Sequence, residues 1–181
     1  MRTGSFLVTA ALLLALAGCV PVDSHPSSSP TGSATPVFAS DAEALAAAEK
    51  AYLAYLKVSD EIGHDGGEDP DRINPTVTLD RRAIEQRGSK SLKDHGLHTS
   101  GATAFSNPSL QRVTRSGDDV EVAFYACWDV TAVRVLDSTD RDVTPVDRVN
   151  RRTLEVVVTT VDGRLPLLLE SDDAWSGDSS C

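Results

Sequence analysis

The sequence predicts an α+β domain in which N-terminal helices pack on one face of a curved antiparallel sheet. Two patterns of apolar residues along the chain support this fold class. Apolar residues recur at helical spacing between residues 40 and 62, whereas from about residue 99 onward they alternate with polar residues, as in strands with one buried face. Helices that precede a run of strands are typical of α+β domains rather than of parallel α/β sheets.

The first 19 residues predict export and lipid attachment. Arg2 is followed by an apolar run, residues 6–16, that is too short to span a bilayer as a mature helix. The segment ends in the residues LAGC, of which the last is Cys19, and it resembles the lipobox of bacterial lipoprotein signals. The resemblance implies cleavage after residue 18, fatty acylation of Cys19, and a protein anchored to the cell membrane on its extracytoplasmic face. The alternative is a conventional secretory signal with an incidental cysteine.

Residues 19–37 are predicted to form a disordered tether between the lipid and the folded domain. The segment is dense in Ser, Pro, Thr and Gly, so it cannot bury enough apolar surface to offset its chain entropy. His25 is expected to be a solvated residue of this tether. The folded domain is therefore expected to comprise residues 38–181.

The first helix of the domain is predicted from a capping box, in which Ser40 is the N-cap and Glu43 returns to the backbone. A stripe of apolar residues extends the helix to about Ile62, and Gly63 ends it. The predicted stripe consists of residues 42, 45, 48, 52 and 56. After a loop rich in Gly, Pro and acidic residues, a second and shorter helix is predicted over residues 79–86.

A further helical turn is predicted at residues 91–95, and the strands follow it. They are predicted at residues 99–105, 110–115, 120–133, 151–161 and 165–169, with Asn107-Pro108 as a break and turns at residues 116–119 and at Asp162-Gly163. Residues 137–148 are expected to form a polar hairpin connection. In the third strand, alternation places one set of residues on the core face: Val120, Val122, Phe124, Ala126 and Trp128.

Composition restricts the partners of the protein. The chain has 17 Lys and Arg residues against 27 Asp and Glu residues, a formal net charge of −10. Arg2 is the one charged residue in residues 1–18, so a mature chain with 16 basic and 27 acidic residues carries −11. Such a field opposes binding to nucleic acid or to anionic lipid headgroups, and membrane attachment must come from the lipid on Cys19.

Three cysteines become an even number once Cys19 is assigned to lipid. Cys127 and Cys181 then remain as a pair outside the cytoplasm, where a disulfide persists. A bridge would pin the polar C-terminal tail across the sheet and close a loop of about 55 residues, which corresponds to about 4 kcal/mol in the chain-entropy model. The alternative is two free thiols.

The order of two helices and an antiparallel meander resembles the NTF2-like (cystatin-like, SnoaL-like) superfamily. More narrowly, it resembles small secreted or lipid-anchored proteins of actinobacteria, in which a cysteine in a C-x-D context meets a C-terminal W-x-G-x-C element. The matching residues here are Cys127, Trp128 and Asp129, followed by Trp175, Gly177 and, at a slightly longer spacing, Cys181. The resemblance covers about residues 38–181. It implies a cone-shaped fold and no particular activity, because the superfamily includes isomerases, dehydratases and non-catalytic scaffolds.

Candidate pocket residues are few. An enzyme of this superfamily needs a polar acid or base inside its cone, and His95 and His98 flank the end of the helical region, where a pocket mouth could lie. The structural alternative is that both histidines are surface residues at a helix-to-strand junction. Asp129 is out of phase with the core face and is expected to bond a neighbouring strand or an arginine. No catalytic residue, metal site or cofactor is assigned, since the acidic clusters lack the spacing of a calcium loop.

The expected function is that of a lipid-anchored, extracytoplasmic domain without catalytic activity, which binds an envelope protein, a wall component or a small ligand. A homodimer is a further expectation, because open sheets of this fold pair face to face. The alternative is an enzyme of the isomerase or dehydratase type, or a protein that binds a small hydrophobic ligand. An open cone lined by a buried Asp, Tyr or His would favour this alternative, whereas a filled apolar cone would exclude an enzyme.

Overall fold

Two helices precede six strands in the computed structural model, which describes residues 37–177 and residue 181. The predicted signal peptide, Cys19 and residues 19–36 of the predicted tether lie outside these described residues. The helices are α1, Asp41–His64, and α2, Leu79–His95, with a 3-10 turn at Pro70–Ile73 between them. The strands are β1, His98–Ser100; β2, Ala104–Ser116; β3, Asp119–Asp129; β4, Arg134–Leu136; β5, Arg151–Val161; and β6, Arg164–Ala174. The predicted α+β class is confirmed.

Helix α1 begins as predicted but buries a different stripe. The backbone N–H of Glu43 donates to Ser40 Oγ (3.2 Å), and Glu43 Oε2 accepts from the N–H of Ala39 (2.7 Å). Ala42, expected in the core, is exposed. The buried residues of the helix are Ala44, Ala48, Ala51, Tyr52, Tyr55, Leu56, Ile62 and Gly63. Alanines occur on several faces of this helix, so they specify its rotation poorly, and the large tyrosines determine which face is buried.

Helix α2 is one continuous helix, so the predicted end at residue 86 is wrong. Gly88 lies within it and is exposed, and a single glycine costs about 1 kcal/mol in a helix, which does not suffice to end it. The next turn is held by Ser89 Oγ, which donates to the carbonyl of Glu85 (3.0 Å), and by Lys90 Nζ with Asp94 Oδ2 (2.7 Å). The helix ends at Gly96, whose φ of 61° is the left-handed conformation of a C-cap glycine.

The strands form a four-stranded antiparallel sheet in the order β2-β3-β5-β6 and a small two-stranded sheet, β1-β4. The predicted break at Asn107-Pro108 is wrong, because β2 continues through it with a shift of register and a positive φ of 53° at Asn107. Strand β3 ends at Asp129 instead of residue 133. There, the Asp129 carboxylate accepts from the backbone N–H of Thr131 (2.8 Å), and the chain turns away from the sheet.

The core lies between α1 and the concave face of the four-stranded sheet. The alternation predicted for β3 is confirmed: Val120, Val122, Phe124 and Ala126 are buried in this core, and Trp128 packs against its edge. Residues from β5 and β6, such as Val156 and Leu169, complete the same layer. The fully buried residues therefore lie near the middle of the sheet, and Trp128, which is partly buried, lies toward one end.

Strand β6 extends five residues beyond its predicted end at Leu169 and contains a β-bulge. Leu169 lies opposite Val158, and Asp172 lies opposite Val156, so two residues of β6 stand where β5 has one. The extra residue inverts the alternation of side chains along the strand. Asp172 therefore points to the core face, whereas regular alternation from Leu169 would place it on the outer face.

The C-terminal segment contacts the outer face of the sheet through a disulfide and an aromatic pair. Cys127 and Cys181 form a disulfide, with their Cα atoms 5.2 Å apart, and this is the pair that the cysteine count predicts. Trp175 packs on Tyr125 with ring centroids 4.6 Å apart. We call this segment, residues 175–181 as far as they are described, the C-terminal strap.

Candidate functional site

A cavity of about 360 Å³ opens at the end of the sheet where β3 ends and β5 begins. We call it the Trp128 cavity. It is lined by Tyr55, Leu56 and Ser59 of α1, by Thr103, and by Trp128, Arg152, Leu154, Asp172 and Ala174 of the sheet. Its volume is within the range of about 300–1,000 Å³ that is usual for small-molecule sites. The concave face is thus not filled along its whole length.

Strand register places Trp128 and Arg152 side by side at the mouth of the cavity. Trp128 of β3 is paired with Arg152 of β5, and paired residues of adjacent strands point to the same face. The guanidinium carbon of Arg152 lies 5.9 Å from the centroid of the Trp128 ring, which is within the range of a cation–π contact. The indole therefore supports a cation at the rim.

The opposite side of the rim is fixed by a carboxylate of α1. Asp60 accepts hydrogen bonds from the backbone N–H and the hydroxyl of Thr103, at 2.8 and 2.7 Å. These bonds hold the segment before β2 against the helix. Thr103 is consequently a fixed part of the cavity wall.

The inner end of the cavity is a network of charged and phenolic groups. Arg81 of α2 donates to Asp172 Oδ1 (2.6 Å) and to Glu85 Oε1 (2.6 Å). The hydroxyl of Tyr52 donates to Asp172 Oδ2 (3.4 Å), and that of Tyr55 donates to Glu85 Oε1 (3.2 Å). The side chains of Arg81, Glu85 and Asp172 are 11%, 14% and 15% exposed. We call these five residues the Arg81 network.

Burial controls the acid–base properties of the network. Burial raises the pKa of Asp172 above its ordinary value, although the charge and hydrogen bond of Arg81 oppose the shift. Burial also raises the pKa of Tyr52 and Tyr55, and the nearby Asp172 carboxylate raises them further. Both phenols therefore remain protonated donors, and Asp172 is the group with the unusual affinity for a proton.

The arrangement can bind a small molecule with an apolar body. Leu56, Leu154 and Trp128 supply apolar wall, and Asp172 and Tyr55 supply polar atoms at one end. A carboxylate oxygen accepts more than one hydrogen bond, so Asp172 retains acceptor capacity toward the cavity after bonding Arg81 and Tyr52. Few polar groups on an apolar wall are typical of ligand sites.

The structure places the sequence-predicted site residues elsewhere. His95 is exposed at the end of α2, where its Nδ1 lies 2.8 Å from the carbonyl oxygen of Ser91. His98 Nε2 lies 3.1 Å from Asp140 Oδ1. Asp129 pairs with Arg151 across the strands, with 3.3 Å between Oδ2 and Nε, as expected from its phase. None of the three lines the Trp128 cavity.

Sequence reasoning missed Tyr55, Arg81 and Asp172. Tyr55 follows Tyr52 at a spacing of three, which places both on one helix face, and Arg81 precedes Glu85 at a spacing of four, a common ion-pair spacing. These two signals were present in the sequence. Asp172 gave none, because its orientation depends on the bulge in β6.

The described residues contain neither a cluster of metal ligands nor a helix that could span a membrane. Within residues 37–177 and 181, no group of three or more His, Cys, Asp or Glu side chains is placed to hold a metal ion. In the same residues, no helix has the length and apolar character needed to cross a membrane.

Comparisons with known proteins provide little functional information. No protein-family model matches the chain. No curated protein matches it either. Among solved structures, it is similar to the intermembrane-space region of the chloroplast protein ARC6, with 15% identity and a TM-score of 0.41 over 72% of this chain and 97% of that chain.

Proposed function

We propose that this chain is a lipoprotein anchored through Cys19, whose extracytoplasmic domain binds a small molecule in the Trp128 cavity. The sequence of residues 1–19 supports the anchor. The single observation that supports binding is an open cavity of about 360 Å³ with an apolar wall and the Asp172 carboxylate at its inner end. Among the partners expected from the sequence, a small ligand fits this cavity better than a protein or a wall polymer.

The architecture supports a placement in the NTF2-like superfamily, which we propose on the order of the elements. Two N-terminal helices lie against the concave face of an antiparallel meander that leaves one end open. This architecture does not by itself specify a substrate, because proteins that share it perform unrelated functions.

Binding is tested with N-phenylnaphthylamine, a neutral apolar dye whose fluorescence rises in an apolar site. The protein for this test is the mature chain with Cys19→Ser, which should carry no lipid and needs no detergent. The dye should bind to it with saturation. Ala174→Trp, which places an indole in the cavity, should abolish the fluorescence increase, because Ala174 lines the wall.

The matched control is Asp173→Trp, which adds the same side chain to the next residue of β6. Asp173 lies opposite Glu155 in the sheet and does not line the cavity, so this variant should bind the dye like the parent. Absence of saturable binding to the parent, or equal binding to Ala174→Trp, would contradict the proposed function.

A second candidate function is catalysis with Asp172 as acid or base. The observation that favours it is the raised pKa of a carboxyl group that borders a cavity. Incubation of a small-molecule extract of the cell envelope with wild type and with Asp172→Asn, followed by mass spectrometry, separates the two functions. Conversion of a compound by wild type alone supports an enzyme, and retention of the compound by both proteins supports binding.

A further inference from the structure

Arg152 is distinguished from the other arginines of the sheet by its place, because it lines the Trp128 cavity and contacts an aromatic ring. Two other exposed arginines of the sheet also have no ion pair among the described residues, but neither lines this cavity. Arg112 pairs with Glu121 and Glu155, and Arg151 pairs with Asp129. Arg152 contacts the Trp128 ring, and no carboxylate is paired with it in the part of the chain that the structure describes. Arg152 is thus an arginine at a cavity mouth that no carboxylate of the described residues neutralises, in a chain with 27 acidic residues against 17 basic ones.

Support from the indole makes this cation available to a ligand. The contact between Arg152 and Trp128 holds the guanidinium at the rim, and within residues 37–177 and 181 no carboxylate accepts from its N–H groups. A guanidinium presents several donors in one plane, which suits carboxylate, sulfonate and phosphate groups. Because Arg152 lines the cavity, an anion bound to it would extend its attached body inward.

The inner end of the cavity opposes an anion and so fixes the orientation. The Arg81 network contains one arginine against the two carboxylates of Glu85 and Asp172, and the Asp172 oxygens accept hydrogen bonds there. A third anionic group there would be repelled. The apolar wall between the two ends contains Leu154, Leu56 and Trp128.

We propose that the Trp128 cavity is selective for small molecules that carry an anionic group on an apolar body, with the anion bound by Arg152 at the mouth. The inference rests on the proposed binding function and adds the chemical class of the ligand. It assigns Arg152 the role of recognising charge and Trp128 the role of holding Arg152 in place.

The test uses two dyes that differ only by one anionic group: anilinonaphthalene sulfonate and its neutral counterpart N-phenylnaphthylamine. Both are titrated into the Cys19→Ser mature chain and into the same chain with Arg152→Gln. We expect the substitution to weaken binding of the sulfonate about five-fold, the effect of one partly exposed ion pair. Binding of the neutral dye should change little. Added salt should weaken binding of the sulfonate to the parent chain but not to the Arg152→Gln variant.

Arg164→Gln is the matched control, because it also removes one exposed arginine. Arg164 pairs with Val161 at the β5–β6 hairpin, at the other end of the strand from Arg152. Loss of sulfonate affinity to the same extent in this variant would mean that only overall charge matters, and this would overturn the inference. An equal effect of Arg152→Gln on both dyes, or none on either, would also overturn it.

The experiment distinguishes a failure of binding in the cavity from a failure of selectivity for anions. If neither dye binds to the parent chain, the proposed function itself is wrong. If the parent chain binds the neutral dye and Ala174→Trp does not, but Arg152→Gln affects both dyes equally, then the binding function is supported and selectivity for anions is refuted. Thermal melts of each variant establish that the substituted proteins are folded.

Discussion

Arg81 holds two carboxylates that little solvent reaches. Burial alone would lower the pKa of its guanidinium, but the charges of Asp172 and Glu85 raise it above its ordinary value. The arginine is therefore charged at every pH at which the protein folds. Each carboxylate has one phenolic donor besides, from Tyr52 or Tyr55. Removal of the arginine would leave both acids without a counter-charge in a nearly dry site.

Arg81→Met should destabilise the protein by about 3 kcal/mol at pH 7, the usual cost of breaking a buried ion pair. The raised pKa of Asp172 means that the folded state binds its proton more tightly than the unfolded state. Its contribution to stability is thus present below the ordinary carboxyl pKa and is lost as pH rises through the folded pKa. Without Arg81 this loss should be larger.

The measurement is urea unfolding of wild type and Arg81→Met between pH 4 and pH 7. The difference in free energy of unfolding should grow with pH. Arg87→Met is the control: it removes an exposed arginine of the same helix, and it should change stability by less than about 0.5 kcal/mol. A difference for Arg81→Met that is constant with pH would refute the role assigned to the arginine.

His95 is exposed, His98 is half-buried with a side chain 28% exposed, and neither lines the Trp128 cavity, so their joint replacement by alanine should have little effect. The partner of His98, Asp140, has a side chain that is 85% exposed. We expect a loss of stability below about 1 kcal/mol and unchanged binding of N-phenylnaphthylamine. Thermal melts and dye titration measure both. A large loss of binding would restore the histidines as candidates for the site.

At the scale of elements, the sequence predicted those features of helices and strands that depend on local patterns. The capping box of α1, the alternation of β3 and the turn at Asp162-Gly163 could be read from the sequence because each depends on neighbouring residues. The rotation of α1 and the length of β6 depend on contacts made by distant residues. Asp172 borders the cavity for that reason, which local patterns could not show. The spacing of Tyr52 and Tyr55 showed that both share one helix face, but not that this face is buried.

The C-terminal strap should depend on its disulfide. Strand β6 ends at Ala174, and just beyond it Trp175 is held by its ring contact with Tyr125 and by the hydrogen bond from its N–H to the carbonyl of Thr153 (2.9 Å). Protein isolated without reductant should have a mass about 2 Da below that of the dithiol form. Replacement of both Cys127 and Cys181 by serine should reduce the free energy of unfolding by about 3 kcal/mol. Two alkylatable thiols in the native protein would contradict the bridge.

At the scale of the whole molecule, net charge and anchoring act in opposite directions. A mature chain with 16 basic and 27 acidic residues is repelled by anionic headgroups. Attachment by two or more acyl chains is strong enough to hold a protein at a membrane without help from charge. The proposed anchor would therefore hold the chain at a membrane although its net charge opposes such a location.

Cys19→Ser should release the protein from the membrane or leave unprocessed precursor. Membrane fractionation combined with acyl labelling measures the effect. Cys181→Ser is the matched control, because it removes a cysteine that the structure assigns to a disulfide, and its labelling should match that of wild type. Unchanged labelling and fractionation of Cys19→Ser would refute the anchor.

The bulge in β6 has a consequence for comparisons between related chains. Because the strand has one residue more than its partner between Leu169 and Asp172, deletion of Glu170 would make β6 regular without turning Asp172 away from the cavity. A change in strand length at this point would therefore be neutral for the site. In a relative with a straight strand, the equivalent aspartate would stand two positions after the leucine instead of three. An alignment of structures would match this aspartate with Asp172, whereas an alignment of sequences without a gap would not.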